Sequence, residues 1–337
     1  KTVWDLANSG KSITLTGAGV ELEIPSSALL TEKVKEYLND STARLSINIR
    51  EITGEEAKGL EGNTSTGIYR IGDRVFEFTA ELKTSKGTID IGRFVQMLKI
   101  SIKLSEKEIK GIDGSKLGVY WYNAEKKAWE YVGGVYDQAK NTITFDTGHF
   151  SKYAVMRSDF TYKDIDRHWA KPEIELMASK HIIEAAANKE FGPDVNITRA
   201  EIIKMLVNVL RYDPDKSIEL ITPAKGTFKD VGIGNPDFSY IETAAKYGIT
   251  KGNSDGTFGP NDTVTREQLT TMIIRAMGIE TDLGKSVLPF DDKRSIQDWA
   301  EKSVVAAYER GLIMGIGGNK FGVGSTATRA QATVIVK

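Results

Sequence analysis

A block recurs three times in the second half of this chain, and no other feature restricts its fold as strongly. Three Thr-Arg pairs, Thr198-Arg199, Thr265-Arg266 and Thr328-Arg329, set the register, with Arg-to-Arg spacings of 67 (199 to 266) and 63 (266 to 329). Seven residues ahead of each threonine stands Phe-Gly: Phe191-Gly192, Phe258-Gly259 and Phe321-Gly322. Ten residues ahead of each phenylalanine begins a short apolar step: His181-Ile182-Ile183, Gly248-Ile249-Thr250 and Gly311-Leu312-Ile313. One such unit cannot bury its own apolar stripe, so the copies must pack on one another.

Each copy reads as two helices. The first carries Ile174, Met177 and Ala178, then Ile241, Ala244 and Ala245, then Val304, Ala307 and Tyr308, at the i, i+3, i+4 spacing of one buried face. Gly248 and Gly311 suit the left-handed position that closes a helix, and His181 holds that place in the first copy. The second helix starts at the threonine. Thr198 with Glu201, Thr265 with Gln268 and Thr328 with Gln331 are capping boxes, followed by apolar stripes such as Ile202, Met205, Leu206 and Val209. The phenylalanine ahead of each box reads as a core plug.

Residues 1–155 have another grammar. Val20–Ile24, Arg44–Ile49, Val75–Thr79, Lys99–Leu104, Leu117–Tyr122, Trp129–Val132, Thr142–Phe145 and Tyr153–Met156 alternate apolar and polar between Gly- and Asx-rich turns. That predicts a mainly-β sandwich, with a short helix over Thr31–Leu38. Asn123–Ala128 reads as a hairpin loop that sets Tyr120-Trp121-Tyr122 against Trp129-Glu130-Tyr131. Those aromatics are read as cross-strand pairs, with a sugar platform as the alternative.

Composition narrows the chemistry. The 337 residues carry a net charge of −1, which offers nucleic acid or an anionic membrane no attraction. No apolar run reaches the ~20 residues of a membrane span. With no cysteine there is no disulfide or thiolate site, and the three histidines have no zinc-ligand spacing. Asn253–Thr257 with Asp262 has the look of a calcium loop, but the first and twelfth positions of such a loop, which need an acid and a glutamate, are Lys251 and Asp262, so it reads as a turn. No GxSxG and no recognisable carboxylate pair appears, so catalysis, metal and cofactor are not expected in this chain. The chain starts at Lys1 and stops at Lys337 in a helical pattern, so it is expected to be an excised fragment; it is also expected to be monomeric.

The motifs Phe228-Lys-Asp230-Val, the block over residues 248–260, and Thr-Arg-Glu-Gln over 265–268 resemble an S-layer homology (SLH) repeat. So do Tyr162-Lys-Asp164 with His168-Trp169-Ala170, and Phe290-Asp291-Asp292 with Trp299-Ala300. The likeness covers about residues 160–337. Gly148–Ala154 resembles the last strand of β modules that precede such repeats in Gram-positive surface proteins, and implies a stalk or spacer. The expected organisation is a β-sandwich at 1–158 and repeats at 159–222, 223–285 and 286–337. The resemblance implies an all-α three-lobed spindle around a pseudo-threefold bundle of the second helices. It implies non-covalent binding of a secondary cell-wall polysaccharide bearing pyruvate ketals, hence a secreted protein held at the cell wall or S-layer of a Gram-positive bacterium.

Arginine chemistry fits that implication, because guanidinium matches a carboxylate with two parallel bonds and each arginine stands at a helix start beside unpaired amides. The expected polysaccharide-binding residues are Arg199, Arg266 and Arg329, the loop glycines Gly252 and Gly315, the aspartates Asp164, Asp230 and Asp292, and Trp169 and Trp299. Two alternatives stand beside this set: the aspartates as ion-pair partners of the arginines, and the tryptophans as lids over the core instead of stacking faces. In the first copy Ala185–Lys189 replaces the glycine loop. If each arginine works with its own loop, Arg266 and Arg329 outrank Arg199. The other pairing sets Arg199 with the neighbouring Gly252 loop. Two further functions remain open: the C-terminal part of a wall-glycan hydrolase, and an adhesin with a glycan-binding β-domain.

Overall fold

The computed structural model describes residues 10–60, 67–184, 190–281 and 287–337. They divide into two units, Lys1–Phe160 with Tyr212–Ser217, and Thr161–Arg211 with Ile218–Lys337.

Among its described residues the first unit has twelve strands: β1 (Ile13–Gly17), β2 (Val20–Ile24), β3 (Arg44–Ile52), β4 (Ile68–Arg70), β5 (Val75–Thr84), β6 (Gly87–Asp90), β7 (Arg93–Lys103), β8 (Leu117–Asn123), β9 (Ala128–Gly133), β10 (Val135–Asp137), β11 (Thr142–His149) and β12 (Lys152–Ser158). They form one sheet in the order β1-β2-β7-β11-β10 and a second in the order β3-β5-β12-β8-β9, with β4 on β12 and β6 on β5. The pairings are antiparallel. Alternation does the sorting. Leu22, Ile24, Leu98, Ile100, Ile143 and Phe145 of the first sheet share one core with Phe76, Phe78, Leu82, Val119, Tyr153 and Val155 of the second.

The outer face of the second sheet is also covered. Ile52, Val75, Tyr120, Trp129, Ala154 and Met156 pack there with Ala57 from the helical turn Gly54–Lys58. Strand β12 is therefore buried on both faces. Tyr122 pairs with Trp129 and Tyr120 with Tyr131 across the predicted hairpin. Their rings meet edge-on at 5.3 and 5.1 Å, and Tyr120 is buried. The expected Thr31–Leu38 helix is shorter, a single turn over Glu32–Lys35 capped by Thr31. Strands β4, β6 and β10, of 3, 4 and 3 residues, lack the length for a readable alternation, whereas Ile13-Thr14-Leu15-Thr16 of β1 carries one that the sequence reading missed.

The second unit contains three helix pairs: α1 (Lys171–Ser179) and α2 (Arg199–Tyr212), α3 (Phe238–Lys246) and α4 (Arg266–Ala276), α5 (Asp298–Glu309) and α6 (Arg329–Val336). Each first helix closes the same way. Ile182 donates to Met177 and His181 to Ala178, Ile249 to Ala244 and Gly248 to Ala245, Leu312 to Ala307 and Gly311 to Tyr308. This is the Schellman closure, and it demands positive φ: 71° at Gly248, 66° at Gly311, and 54° at His181, where a side chain must tolerate it. Among the described residues no helix is long and apolar enough to cross a membrane.

Candidate functional site

The second helices begin as their boxes require. Thr198, Thr265 and Thr328 accept from the amides of Glu201, Gln268 and Gln331 at 3.3, 3.3 and 3.2 Å. Those side chains reach back to the threonine amides at 2.9, 3.1 and 3.1 Å. The phenylalanines ahead of them, Phe191, Phe258 and Phe321, are buried plugs.

The aspartates hold these plugs. Asp164 accepts from the amides of Phe191 and Gly192 at 2.8 and 2.7 Å. Asp230 does the same for Phe258 and Gly259 at 2.7 and 2.8 Å. Asp292 takes Phe321, Gly322 and Val323 at 2.8, 2.9 and 3.2 Å. Partial burial works to raise these carboxyl pKa values, but the amide bonds outweigh it and hold all three below the usual range. The carboxylates thus bind backbone, where an ion pair with the helix-start arginines was the alternative.

Those arginines reach into the next repeat. Arg199 donates through Nε to the Phe258 carbonyl at 2.7 Å, and Arg266 to that of Phe321 at 2.8 Å. Arg329 donates to the carbonyl of Phe191. Each guanidinium also lies over the same phenylalanine ring, 4.9, 5.3 and 5.3 Å from its centre. The three contacts close a cycle: first repeat to second, second to third, third back to first. The backbone repeats the cycle, with the amides of Arg199, Arg266 and Arg329 donating to Asp262, Ser325 and Val195 at 2.9, 2.9 and 2.8 Å. Ala200 and Ala330 donate likewise to Pro260 and Pro193. The helix-start amides read as open to a ligand are therefore taken by neighbouring carbonyls, because orphan N–H groups at a buried junction must find partners.

This cycle decides which loop each arginine meets. A groove of about 380 Å³ brings Arg199 together with Gly252 and its loop, and with Trp299 of the third repeat. Arg266 donates through Nη2 to the Met314 carbonyl at 2.9 Å, beside Gly315. Arg329 lines a groove of about 200 Å³ with Glu184, Glu201 and Lys204. The neighbour pairing is the one that forms, so the expected ranking of Arg266 and Arg329 over Arg199 loses its basis. Ala185–Lys189, on which it rested, lies outside the described residues.

The glycines serve packing first. A Cβ at Gly252 would lie 2.3 Å from the Phe228 ring, and one at Gly315 2.6 Å from the Lys320 carbonyl. The space they spare is filled by their own repeats. Trp169 and Trp299 are 62% and 52% exposed, which favours faces over lids. Trp299 lines the Arg199 groove, whereas Trp169 packs beside His168 at 5.4 Å.

Sequence reading missed Gln268, Thr271 and Arg275, which face the same groove from α4. Their i, i+3, i+7 spacing is a polar stripe beside the apolar one, and that was the available signal. Lys251 completes the cationic lining, and among the described residues no Asp or Glu is part of it.

The S-layer homology domain family matches residues 161–203, 227–270 and 289–333. An amylopullulanase of Thermoanaerobacterium thermosulfurigenes is 37% identical over 232 residues, 67% of this chain and 12% of that protein. That stretch is longer than the repeats and so takes in part of the first unit. A cellulosome-anchoring protein of Acetivibrio thermocellus is 29% identical over 183 residues, 52% of this chain and 40% of the relative. An S-layer protein of Bacillus thuringiensis subsp. finitimus is 25% identical over 170 residues, 50% of this chain and 20% of the relative. The chain thus spans well under half the length of each.

Proposed function

Residues 161–333 of this chain are three S-layer homology domains, and from that premise we propose that it anchors a larger secreted protein, without covalent linkage, to the polysaccharide of a Gram-positive cell wall. The observation that carries the reading is the Arg199 groove, where an exposed indole, a loop from the next repeat and cations meet, with no acid in the lining among the described residues. An indole face stacks on a sugar ring, and guanidinium pairs with a carboxylate such as a pyruvate ketal. The unit is read as a three-lobed spindle with α2, α4 and α6 on a common axis, and the closed Arg-to-Phe cycle supports that arrangement.

The chain is read as the anchoring portion, with any catalysis belonging to a larger parent. The names of the amylopullulanase and S-layer relatives support both kinds of parent. The first unit is read as a spacer, because its aromatic hairpin spends its rings on packing. The test is co-sedimentation of the full chain with purified Gram-positive walls, before and after mild acid removal of pyruvate. Binding that disappears with the ketal supports the proposal. Binding that survives rejects the ketal as ligand, and no binding to either wall rejects anchoring.

A further inference from the structure

The Arg199 groove contains more polar capacity than one carboxylate uses. Thr271 is 2% exposed and its hydroxyl has no hydrogen-bond partner among the described residues. Its neighbour Thr270 shows the usual solution, donating to the Arg266 carbonyl one turn back at 2.7 Å. An unmade bond at a buried hydroxyl is costly, and Thr271 stands in the groove wall, so a small rotation of its side chain toward an entering ligand would supply the missing partner.

One turn further along α4, Arg275 lines the same groove. Its side chain is partly buried, and burial pushes the guanidinium pKa down, with no carboxylate among the described residues acting against it. Arg199 differs in having Asp230 and Asp262 nearby as counter-charges. Lys251 adds a third cation to the lining. The groove at Arg329 is self-neutralised by comparison: Arg329 pairs with Glu201 at 2.9 Å and Lys204 with Glu184 at 3.4 Å. At the place of Arg275 the first repeat has Asn208, whose amide closes on the carbonyls of His181 and Ile182.

We infer that Thr271, Arg275 and Lys251 form a second anion subsite, so that this groove takes a polysaccharide segment carrying two negative groups on adjacent sugars. The inference rests on the anchoring role proposed above. The first charge is met at Arg199 and the second at Arg275. A volume of about 380 Å³ lies within the ordinary range of small-ligand sites, roughly 300–1,000 Å³. Arg275 is then a specificity residue, giving this groove a preference that the Arg329 groove does not share.

The test is calorimetry of the full chain with two probes. One is a methyl hexoside carrying a 4,6-pyruvate ketal, a monoanion. The other is a disaccharide carrying that ketal on one ring and a uronate on the other. The dianion is expected to bind at least about tenfold tighter, the size of one charge-assisted bond. Arg275→Gln and Thr271→Val are expected to cost the dianion at least about fivefold more affinity than they cost the monoanion, so that the preference shrinks or vanishes, and Arg275→Lys to restore part of it. Equal affinity of the two probes for the unmodified chain, or equal losses for both probes in Arg275→Gln, overturns the second subsite. Failure of the anchoring site itself reads differently, as loss of neither probe in Arg199→Ala. Melting curves of each variant confirm that a lost preference is not a lost fold.

Discussion

Arg199 donates to the carbonyl of Phe258 at 2.7 Å and lies over its ring at 4.9 Å, so one side chain ties the start of α2 to the plug of the next repeat. The helix-start arginine is thus a structural clasp as well as a groove residue, and its loss should register in stability and in binding. Arg199→Ala leaves a buried carbonyl unpaired and is expected to cost about 2 kcal/mol of stability. Arg266→Ala, which loses bonds to both Phe321 and Met314, should cost at least as much. For binding, Arg199 and Arg266 are expected to outweigh Arg329, whose guanidinium is already paired with Glu201. Chemical denaturation and calorimetry with a pyruvylated wall fragment measure the two effects separately. A larger binding loss in Arg329→Ala would overturn the order.

The two tryptophans should separate. Trp299→Ala removes an exposed groove wall and is expected to weaken binding by roughly fivefold, since stacking of this kind is worth about 1 kcal/mol. Trp169→Ala should change binding little. Neither should lower the melting temperature by more than a few degrees, because both rings are mostly exposed. Equal binding losses would show that Trp169 also faces ligand.

Two glycines of the second repeat offer a matched pair. Gly248→Ala meets nothing within 4 Å and bears only the penalty of φ 71°, about 1 kcal/mol. Gly252→Ala has a similar φ and also drives a methyl into Phe228 and the Thr257 carbonyl, for about 3 kcal/mol in total. Urea unfolding of the two variants decides it, and equal values would mean that the loop yields freely.

His181 should make the protein acid-sensitive before its carboxylates do. Burial lowers its pKa from 6.5 to about 4. Above pH 6.5 the imidazole is neutral in both states and contributes no pH dependence. Between pH 6.5 and 4 the unfolded chain takes up a proton that the folded chain refuses, so stability falls as pH falls, by up to about 3 kcal/mol. Below pH 4 this contribution is constant. In His181→Asn, which tolerates the positive φ and does not titrate, melting temperature should lose this dependence between pH 6.5 and 4.

The aspartate plugs predict a lower acid transition. Their folded pKa values are depressed, so the stability they give is present above the unfolded value and is lost as pH falls through the folded one. Asp230→Ala frees two amides and is expected to cost about 2 kcal/mol at pH 7. Asp230→Asn, which keeps one acceptor, should cost about half of that. A pH-independent difference between Asp230→Asn and the unmodified chain across pH 2–5 would refute this assignment.

The sequence by itself determined the features whose partners lie within one turn. Thr265 and Gln268 cap each other across three residues, Gly248 closes the helix it follows, and Leu22 and Ile24 point inward because a strand alternates. Such signals survive in a bare string because the physics acts between near neighbours. Tertiary structure decided the rest. Arg199 finds Phe258 across 59 residues, Arg266 finds Phe321 across 55, and Arg329 returns to Phe191 across 138. No local preference distinguishes a clasp to the next repeat from a bond within its own. The amides at the helix starts looked open for the same reason, since their acceptors Asp262, Ser325 and Val195 belong to other repeats. Burial of β12 on both faces needed the turn at Gly54–Lys58 to fold back over Ala154 and Met156. The meeting of Arg199, Gly252, Arg275 and Trp299 in one groove likewise follows from closing the cycle, because only that closure brings three repeats to a common wall.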